Sequence, residues 1–173
     1  MPETSEELRN RLKAFGPAFL LSQLGFQSSR LWRARLAPYG LGPREAMLLL
    51  HLAINEGRSQ RALAEALGVS PSLIVGVVDT LAGTGLVERR QQEKDRRIHA
   101  LHVSARGKRV VAKLRAEARA HDEELCAGLT PSERDRLAQL LSRIAARHGL
   151  ATAVHPGFAD TNGKTWGRGG GVT

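Results

Sequence analysis

Apolar residues recur at intervals of three and four through most of the chain, which is the spacing of helices with one buried face. The spacing changes once. Leu86 and Val87 begin a strand-like run, residues 98–103 form a second one, and the segment 89–97 between them is too charged to pack. Two strands around a charged loop predict a β-hairpin, which we call the wing. The pattern therefore predicts a mainly α fold with a small β-wing.

The two segments before the wing carry the end signals of short helices. Residues 59–68 begin with a cap-forming Ser and end with Gly. Ser70 and Pro71 then open the reading helix, because Ser is a preferred N-cap and Pro suits the first helical turn. Its buried face consists of Ile74, Val77, Val78 and Leu81. Two short helices joined by a Gly-containing turn predict a helix-turn-helix unit, whose second helix enters the major groove of DNA.

Further helices are expected before this unit. Residues 4–7 form a capping box, and Gly16 with Pro17 should break the helix that follows it. A second helix should run from there to about Ala37, with Leu20, Leu24, Leu31 and Trp32 on its apolar side. Pro43 should start another helix that extends to about Asn55.

After the wing, Ser104 caps one helix and the capping box at residues 130–133 begins the last one. We expect this last helix to bury Leu137, Leu140, Leu141 and Ile144 and to end by Gly149. Beyond Thr152 the chain has too few apolar residues to offset the entropy of ordering, which predicts a disordered tail.

This ordered set of segments resembles the multiple-antibiotic-resistance regulator (MarR) family. The matching residues are 63–68, Ser70, Leu81, 85–87 with Arg89, 95–97 and 103–107, within a resemblance from about Pro17 to Arg147. The resemblance implies a winged helix-turn-helix lobe flanked by N- and C-terminal dimerisation helices. The implied divisions are 1–38 for the N-terminal arm and dimerisation helix, 39–104 for the DNA-binding lobe, 105–150 for the C-terminal dimerisation helices, and 151–173 for the tail.

DNA contacts are expected from the face of the reading helix that stays exposed. That face comprises Ser70, Pro71, Ser72, Leu73, Val75, Gly76 and Thr80, with Asp79 beside them. Ser72 can bond to base edges or phosphates, Leu73 or Val75 can touch thymine methyl groups, and Gly76 permits a close approach to the duplex. Leu73 and Val75 could instead be additional core. The family more often places Thr and Arg near Val75 and Gly76, so direct readout should depend more on the wing and on DNA shape.

The wing and the start of the first short helix should add further DNA contacts. The wing set is Arg89, Arg90, Lys94, Asp95, Arg96 and Arg97, and a basic hairpin tip can enter the narrow minor groove. The resemblance implies that Asp95 orients Arg97, and a carboxylate two residues away can hold a guanidinium by a charge-assisted bond. Ser59, Gln60 and Arg61 lie at a helix N-terminus, which suits phosphate. The alternatives are a solvated charged turn and simple helix capping.

The resemblance also implies a homodimer on a near-palindromic operator, and a repressor that a small phenolic or anionic effector releases. We place Trp32, Tyr39 and His51 near the effector crevice between the dimerisation helices and the reading lobe. A net charge of +9 agrees with a polyanionic partner. The longest apolar run, residues 46–54, is too short to span a bilayer, and the acidic N-terminus lacks the features of a signal peptide. We therefore expect a cytoplasmic protein without a membrane partner.

Cysteine and histidine usage argues against redox, metal or enzyme chemistry. Cys126 follows Glu123 and Glu124 near a helix C-terminus, and both features disfavour a reactive thiolate. His99 and His102 have opposite parity on a strand, so they point to opposite faces. We expect no catalytic residues, no cofactor and no metal site, since phosphate loops, nucleophile elbows and paired metal-ligand motifs are missing. Two alternatives are a ligand-independent architectural DNA-binding protein and a small-molecule-binding protein with an incidental basic wing.

Overall fold

The computed structural model describes residues 4–91 and 99–150, together with His155 and Phe158. Within them the chain forms, in order, α1 (Ser5–Leu36), a 3₁₀ turn (Ala37–Tyr39), α2 (Pro43–Leu52), α3 (Gln60–Leu67), α4 (Pro71–Gly83), β1 (Val87–Gln91), β2 (His99–Val103), α5 (Ala105–Leu125) and α6 (Pro131–Arg147). The predicted class, mainly α with a small β-wing, is confirmed. Helix α4 is the reading helix, and β1 and β2 are the strands of the wing.

Every α-helix except α2, which follows Gly42, begins after a hydroxyl cap. Each cap side chain accepts a hydrogen bond from the backbone N–H three residues further on, which satisfies a donor that the helix itself leaves unpaired. The predicted caps that do so are Ser59, Ser70, Ser104 and Thr130. At the N-terminus, Thr4 forms the predicted capping box with Glu7. The predicted break is also confirmed, because Gly16 interrupts α1 with φ 60 and ψ 174, directly before Pro17.

The core lies where α2, α3, α4, the wing and α5 meet. Its fully buried side chains include Leu48, Leu49 and Leu52 from α2, Leu63 from α3, Ile74, Val78 and Leu81 from α4, Leu101 from β2 and Leu114 from α5. The predicted buried face of α4 is confirmed. Helix α2 ends at Leu52, slightly before the expected Asn55.

The second wing strand is hydrogen-bonded along both edges. On one side β1 pairs with β2 in antiparallel register, with Val87 opposite Val103. On the other side the loop before α3 approaches β2: the Gly57 N–H donates to the Leu101 carbonyl at 2.9 Å, and the Leu101 N–H donates to the Arg58 carbonyl at 2.9 Å. The wing is therefore joined by backbone bonds to the start of the helix-turn-helix unit.

In the single chain α6 does not bury its apolar face, so that prediction is wrong for the isolated chain. Leu137, Leu140, Leu141 and Ile144 are between 37% and 45% exposed, and no residue of α6 is buried. In α1, Leu20 and Leu24 are likewise exposed. The helical periodicity is correct, but these faces stay exposed among the residues that the structure describes.

The prediction of a disordered tail is wrong at Phe158. Its side chain is only 2% exposed and belongs to the core cluster, and its N–H donates to the His155 carbonyl at 2.8 Å. Average composition does not register a single large aromatic ring that can be buried. Apart from Phe158 and the exposed His155, the residues of the predicted tail lie outside the described residues.

In the described part of the chain no single helix is long and apolar enough to cross a membrane. Only α3 and α4 taken together pass that test, and they are bent by 119° relative to each other.

Candidate nucleic-acid interface

The reading helix presents most of its predicted contact residues to solvent. Exposed are Ser70, Pro71, Ser72, Val75, Gly76 and Thr80. Leu73 is different, because its side chain is half-buried and packs against the core. The alternative of an additional core residue therefore fits Leu73, whereas Val75 is 40% exposed and available. The Thr80 hydroxyl donates to the Gly76 carbonyl at 3.1 Å, so this donor is used within the helix.

Gly76 has no structural reason within the chain to be glycine. It lies in the middle of α4, outside the left-handed region, and a Cβ added there would meet no atom within 4 Å. Glycine inside a helix costs roughly 0.5–1 kcal/mol relative to alanine. The described residues therefore leave room for a close approach from outside, such as that of a duplex, at this position.

The N-terminus of α3 lies beside the reading helix. A groove of about 550 Å³ between the two helices is lined by Gln60, Arg61, Ala64, Glu65, Gly68, Val69, Pro71 and Val75. The structure thus brings two of the three predicted phosphate contacts together with the reading face. Ser59 caps the helix by accepting the Ala62 N–H at 3.2 Å, which agrees with the capping alternative. Arg61 is exposed and pairs with Glu65 at 3.0 Å.

The two arginines at the start of the wing point in different directions. Arg89 forms an ion pair with Asp79 of α4, whereas Arg90 pairs with Glu88 of its own strand at 2.9 Å. Arg90 is exposed and can reach a phosphate, but Arg89 is engaged by the protein. The predicted wing-tip residues Lys94, Asp95, Arg96 and Arg97 lie outside the described residues.

The base of the wing is held against α5 by close contacts. The Ser104 hydroxyl donates to the Gly85 carbonyl at 2.7 Å and accepts the Gly107 N–H at 2.9 Å. The Ser104 N–H donates to the Leu86 carbonyl at 3.0 Å. Gly107 is pressed against the same carbonyl, because a Cβ added there would lie 2.1 Å from the Leu86 oxygen. No side chain fits at this position without moving backbone.

Tyr39 and Trp32, two of the predicted effector residues, lie against α5. The Tyr39 hydroxyl donates to Glu117 at 3.0 Å, and Arg35 donates to the same carboxylate at 3.0 Å. These hydrogen bonds, first from Arg35 and then from Tyr39, lower the pKa of Glu117, so this carboxylate stays ionised beside Tyr39. Trp32 packs on the ring of His121 with 5.6 Å between the ring centroids.

The third predicted effector residue, His51, lies on α2 and contacts Asn55, with 3.4 Å between Nε2 and Nδ2. Burial, together with the positive charge of Arg58, lowers the pKa of His51. The ring is therefore neutral at pH 7, and it does not offer an anion a positive charge.

A cavity of about 430 Å³ that the sequence interpretation missed lies between the end of α2 and α5. Its lining is Ala53, Ile54, Glu56, Lys108, Val111, Ala112 and Arg115. Lys108 and Arg115 supply positive charge, and Ile54 is an exposed apolar side chain. Lys108 and Arg115 are spaced at helical intervals from the buried Val111 and Leu114 of α5. This spacing is the sequence signal by which the two cations could have been found.

In the described ranges no cluster of His, Cys, Asp and Glu could hold a metal ion. Cys126 is half-buried at the C-terminal end of α5, as its sequence position predicts, and its N–H donates to the Asp122 carbonyl at 3.0 Å.

A helix-turn-helix unit followed by a hairpin, between helices with exposed apolar faces, defines the winged helix-turn-helix class of proteins. The MarR family model matches residues 39–98. The chain belongs to the MarR family of transcription regulators, as the sequence motifs predicted.

Particular relatives agree with this placement. The chain is 36% identical over 105 residues to a candidate transcriptional regulatory protein for the hcr operon of Thauera aromatica, a match that covers 61% of this chain and 63% of that protein. CouR from Rhodococcus jostii RHA1 bound to p-coumaroyl-CoA is 32% identical, with a TM-score of 0.59 and coverage of 74% of this chain and 90% of that one. The transcriptional repressor CouR bound to a 23-mer DNA duplex is 28% identical, with a TM-score of 0.65 and coverage of 83% and 99%.

Proposed function

We propose that this chain is a sequence-specific DNA-binding transcription regulator, a homodimeric repressor that acts in the cytoplasm and is released by a small ligand. One observation carries the proposal: the exposed face of α4, with Gly76 at its centre, forms a single surface with the N-terminus of α3. Such a surface admits a duplex to the backbone of the reading helix and offers phosphates a helix N-terminus. The solved complex of CouR with a DNA duplex supports the proposal.

The exposed apolar faces of α1 and α6 support the dimer. Phe15, Phe19 and Leu24 of α1 are 56%, 43% and 51% exposed, and Ile144 of α6 is 45% exposed. A second copy of the chain would remove these side chains from water. Two-fold symmetry also doubles the length of DNA that is read, which requires a near-palindromic operator.

The wing is proposed to add contacts with DNA beside those of the reading helix. Arg90, exposed and paired only within its strand, suits a phosphate. For the wing tip the proposal rests on the family resemblance alone, with Asp95 orienting Arg97 in the minor groove. Lys94 and Arg96 would add to the positive potential there.

The ligand is proposed to be a small molecule with an aromatic part and an anionic part. The cavity between α2 and α5 favours the anionic part because two cations, Lys108 and Arg115, line it against one carboxylate, that of Glu56, which lies 3.5 Å from the Lys108 Nζ. The surface at Trp32 and Tyr39 suits the aromatic part, since the carboxylate of Glu117 would repel an anion there. CouR bound to p-coumaroyl-CoA, which combines a phenol with phosphates, supports this class of ligand.

Titration of the protein with the DNA upstream of its own coding sequence tests the proposal. The matched control is a duplex of the same length and composition in shuffled order. We expect tighter binding to the upstream DNA, and release by p-coumaroyl-CoA or p-coumarate at concentrations that leave the shuffled complex unchanged. Equal binding to both duplexes, with a steep salt dependence and no ligand effect, would instead indicate an architectural DNA-binding protein. Binding of the ligand without any binding of DNA would contradict the proposed function.

A further inference from the structure

An ion pair joins the wing to the reading helix. Arg89 of β1 contacts the carboxylate of Asp79 in α4, and the two residues are ten positions apart on different elements. The side chain of Asp79 is 56% exposed and that of Arg89 is 35% exposed, so the pair lies at the surface. It therefore lies beside the face of α4 that is proposed to meet DNA.

The direction of Arg89 follows from the alternation of side chains along a strand. Val87, two residues earlier, is buried in the core, so Arg89 shares the strand face that packs toward the body of the lobe. Glu88 and Arg90 share the opposite face and pair with each other at 2.9 Å. Neighbouring arginines thus have different partners, one across elements and one within its own strand.

Other contacts hold the wing at its base and along β2. Ser104 bonds to the backbone of Gly85 and Leu86, and Gly107 packs on the Leu86 carbonyl. Along β2, the backbone of Leu101, which lies opposite Arg89 in the hairpin, is hydrogen-bonded to Gly57 and Arg58. The ion pair differs from these contacts because it joins β1 directly to the reading helix through two side chains.

We propose that Arg89 is a positioning residue that holds the wing at a set angle to the reading helix through Asp79, and is not a phosphate contact. The inference rests on the proposed DNA-binding function, because the angle matters when both elements must enter neighbouring grooves of one duplex. Arg89 is less exposed than Arg90, at 35% against 59%, and its partner belongs to another element, whereas the partner of Arg90 lies in the same strand. The role that the sequence suggested for Arg89 is thereby replaced.

The substitution Asp79→Asn should change the affinity for DNA in opposite directions for the two roles of Arg89. If Arg89 contacted phosphate, removing the carboxylate would free the guanidinium and remove repulsion from the duplex, and binding would tighten. In a positioning role the same substitution loosens the wing, and binding to the upstream DNA weakens. A dimer contains two such ion pairs, so the factor that one exposed ion pair supplies enters twice. We therefore expect the affinity for the upstream DNA to fall by roughly 2- to 30-fold.

The experiment uses the full chain with Asp79→Asn, Arg89→Gln, and the reciprocal exchange Asp79→Arg with Arg89→Asp. Glu88→Gln is the matched control, because it removes one carboxylate from the same strand without breaking a contact to α4. Binding to the upstream DNA is titrated at two salt concentrations. Amide hydrogen exchange of β1 and β2 is measured on the free protein, so that this readout does not depend on DNA.

We expect faster exchange near Gln91 and His99 in both single variants, and rates near those of the wild type in the reciprocal exchange and in Glu88→Gln. Tighter binding by Asp79→Asn, with wild-type exchange, would overturn the proposal. So would a salt dependence that flattens in Arg89→Gln alone, since that is the mark of a lost phosphate contact. If the wild type does not prefer the upstream DNA, the proposed function fails, and the exchange rates still decide whether the pair holds the wing.

Discussion

Replacing Gly76 with alanine should stabilise the fold and weaken DNA binding at the same time. The added Cβ enters open space in the free protein, where no atom lies within 4 Å, so there is no steric cost. The helix loses a residue of high backbone entropy, which is worth roughly 0.5–1 kcal/mol. For a chain of this size, that gain raises the midpoint of thermal unfolding by about 1–4 °C.

In the complex the same methyl group occupies space that the duplex is proposed to need. Inserting a methyl group into a packed contact costs about 1–3 kcal/mol. Even the lower part of that range corresponds to roughly 10-fold weaker binding for about 1.4 kcal/mol. The two measurements are thermal unfolding and titration with the upstream DNA, both on Gly76→Ala and on the wild type.

Gly83→Ala is the matched control, because it lies at the C-terminal end of α4 and its Cβ also meets no atom within 4 Å. We expect this variant to bind the upstream DNA as the wild type does. If Gly76→Ala is more stable and binds with unchanged affinity, the centre of α4 does not approach the duplex closely. If it is less stable, the open space around Gly76 is the part of the reasoning that is wrong.

Three further predictions follow. Gly107→Ala should lower the free energy of unfolding by about 1–3 kcal/mol in urea denaturation, because its Cβ would lie 2.1 Å from the Leu86 oxygen; unchanged stability would contradict the close packing. The lowered pKa of His51 means that, as the pH falls below 6.5, the unfolded chain takes up a proton before the folded chain does. The stability of the wild type should therefore fall in this pH range, and that of His51→Gln should fall less. Equal pH dependence of the urea midpoints of the two proteins would refute this. Cys126→Ser should bind the upstream DNA as the wild type does with and without peroxide; oxidant-induced release that the substitution abolishes would show that the thiol is a sensor.

The parts of the fold that local chemistry controls could be predicted from the sequence. Hydroxyl caps at Ser59, Ser70 and Ser104 gave the starts of three helices, and Gly16 gave the break in α1. Each of these signals involves residues that are at most three or four positions apart, so it can be recognised in a short stretch of sequence. The buried face of α4 was visible for the same reason, since its period is that of a helix.

What the sequence left open depends on groups that are distant along the chain or outside it. Leu140 in α6 has the right periodicity but stays exposed, because no surface of the same chain covers it. The sequence alone predicts that Arg89 is one of the DNA-contacting cations of the wing. Its partner Asp79 becomes apparent only in the folded chain. Arg115 gains its significance from the cavity that forms where α5 meets the end of α2.

The backbone bonds between residues 57–59 and β2 limit how the lobe can respond to a ligand. Two N–H···O bonds of 2.9 Å tie the stretch that leads into α3 to the second strand of the wing. These bonds favour movement of the start of α3 together with β2, so a displacement that starts at α2 would be passed to both elements. In a two-fold dimer of the proposed kind, such a displacement changes the spacing between the two DNA-binding lobes. Half-sites on DNA are about 34–36 Å apart, one helical turn, and a shift of a few ångströms in that spacing leaves the second lobe out of register with its groove.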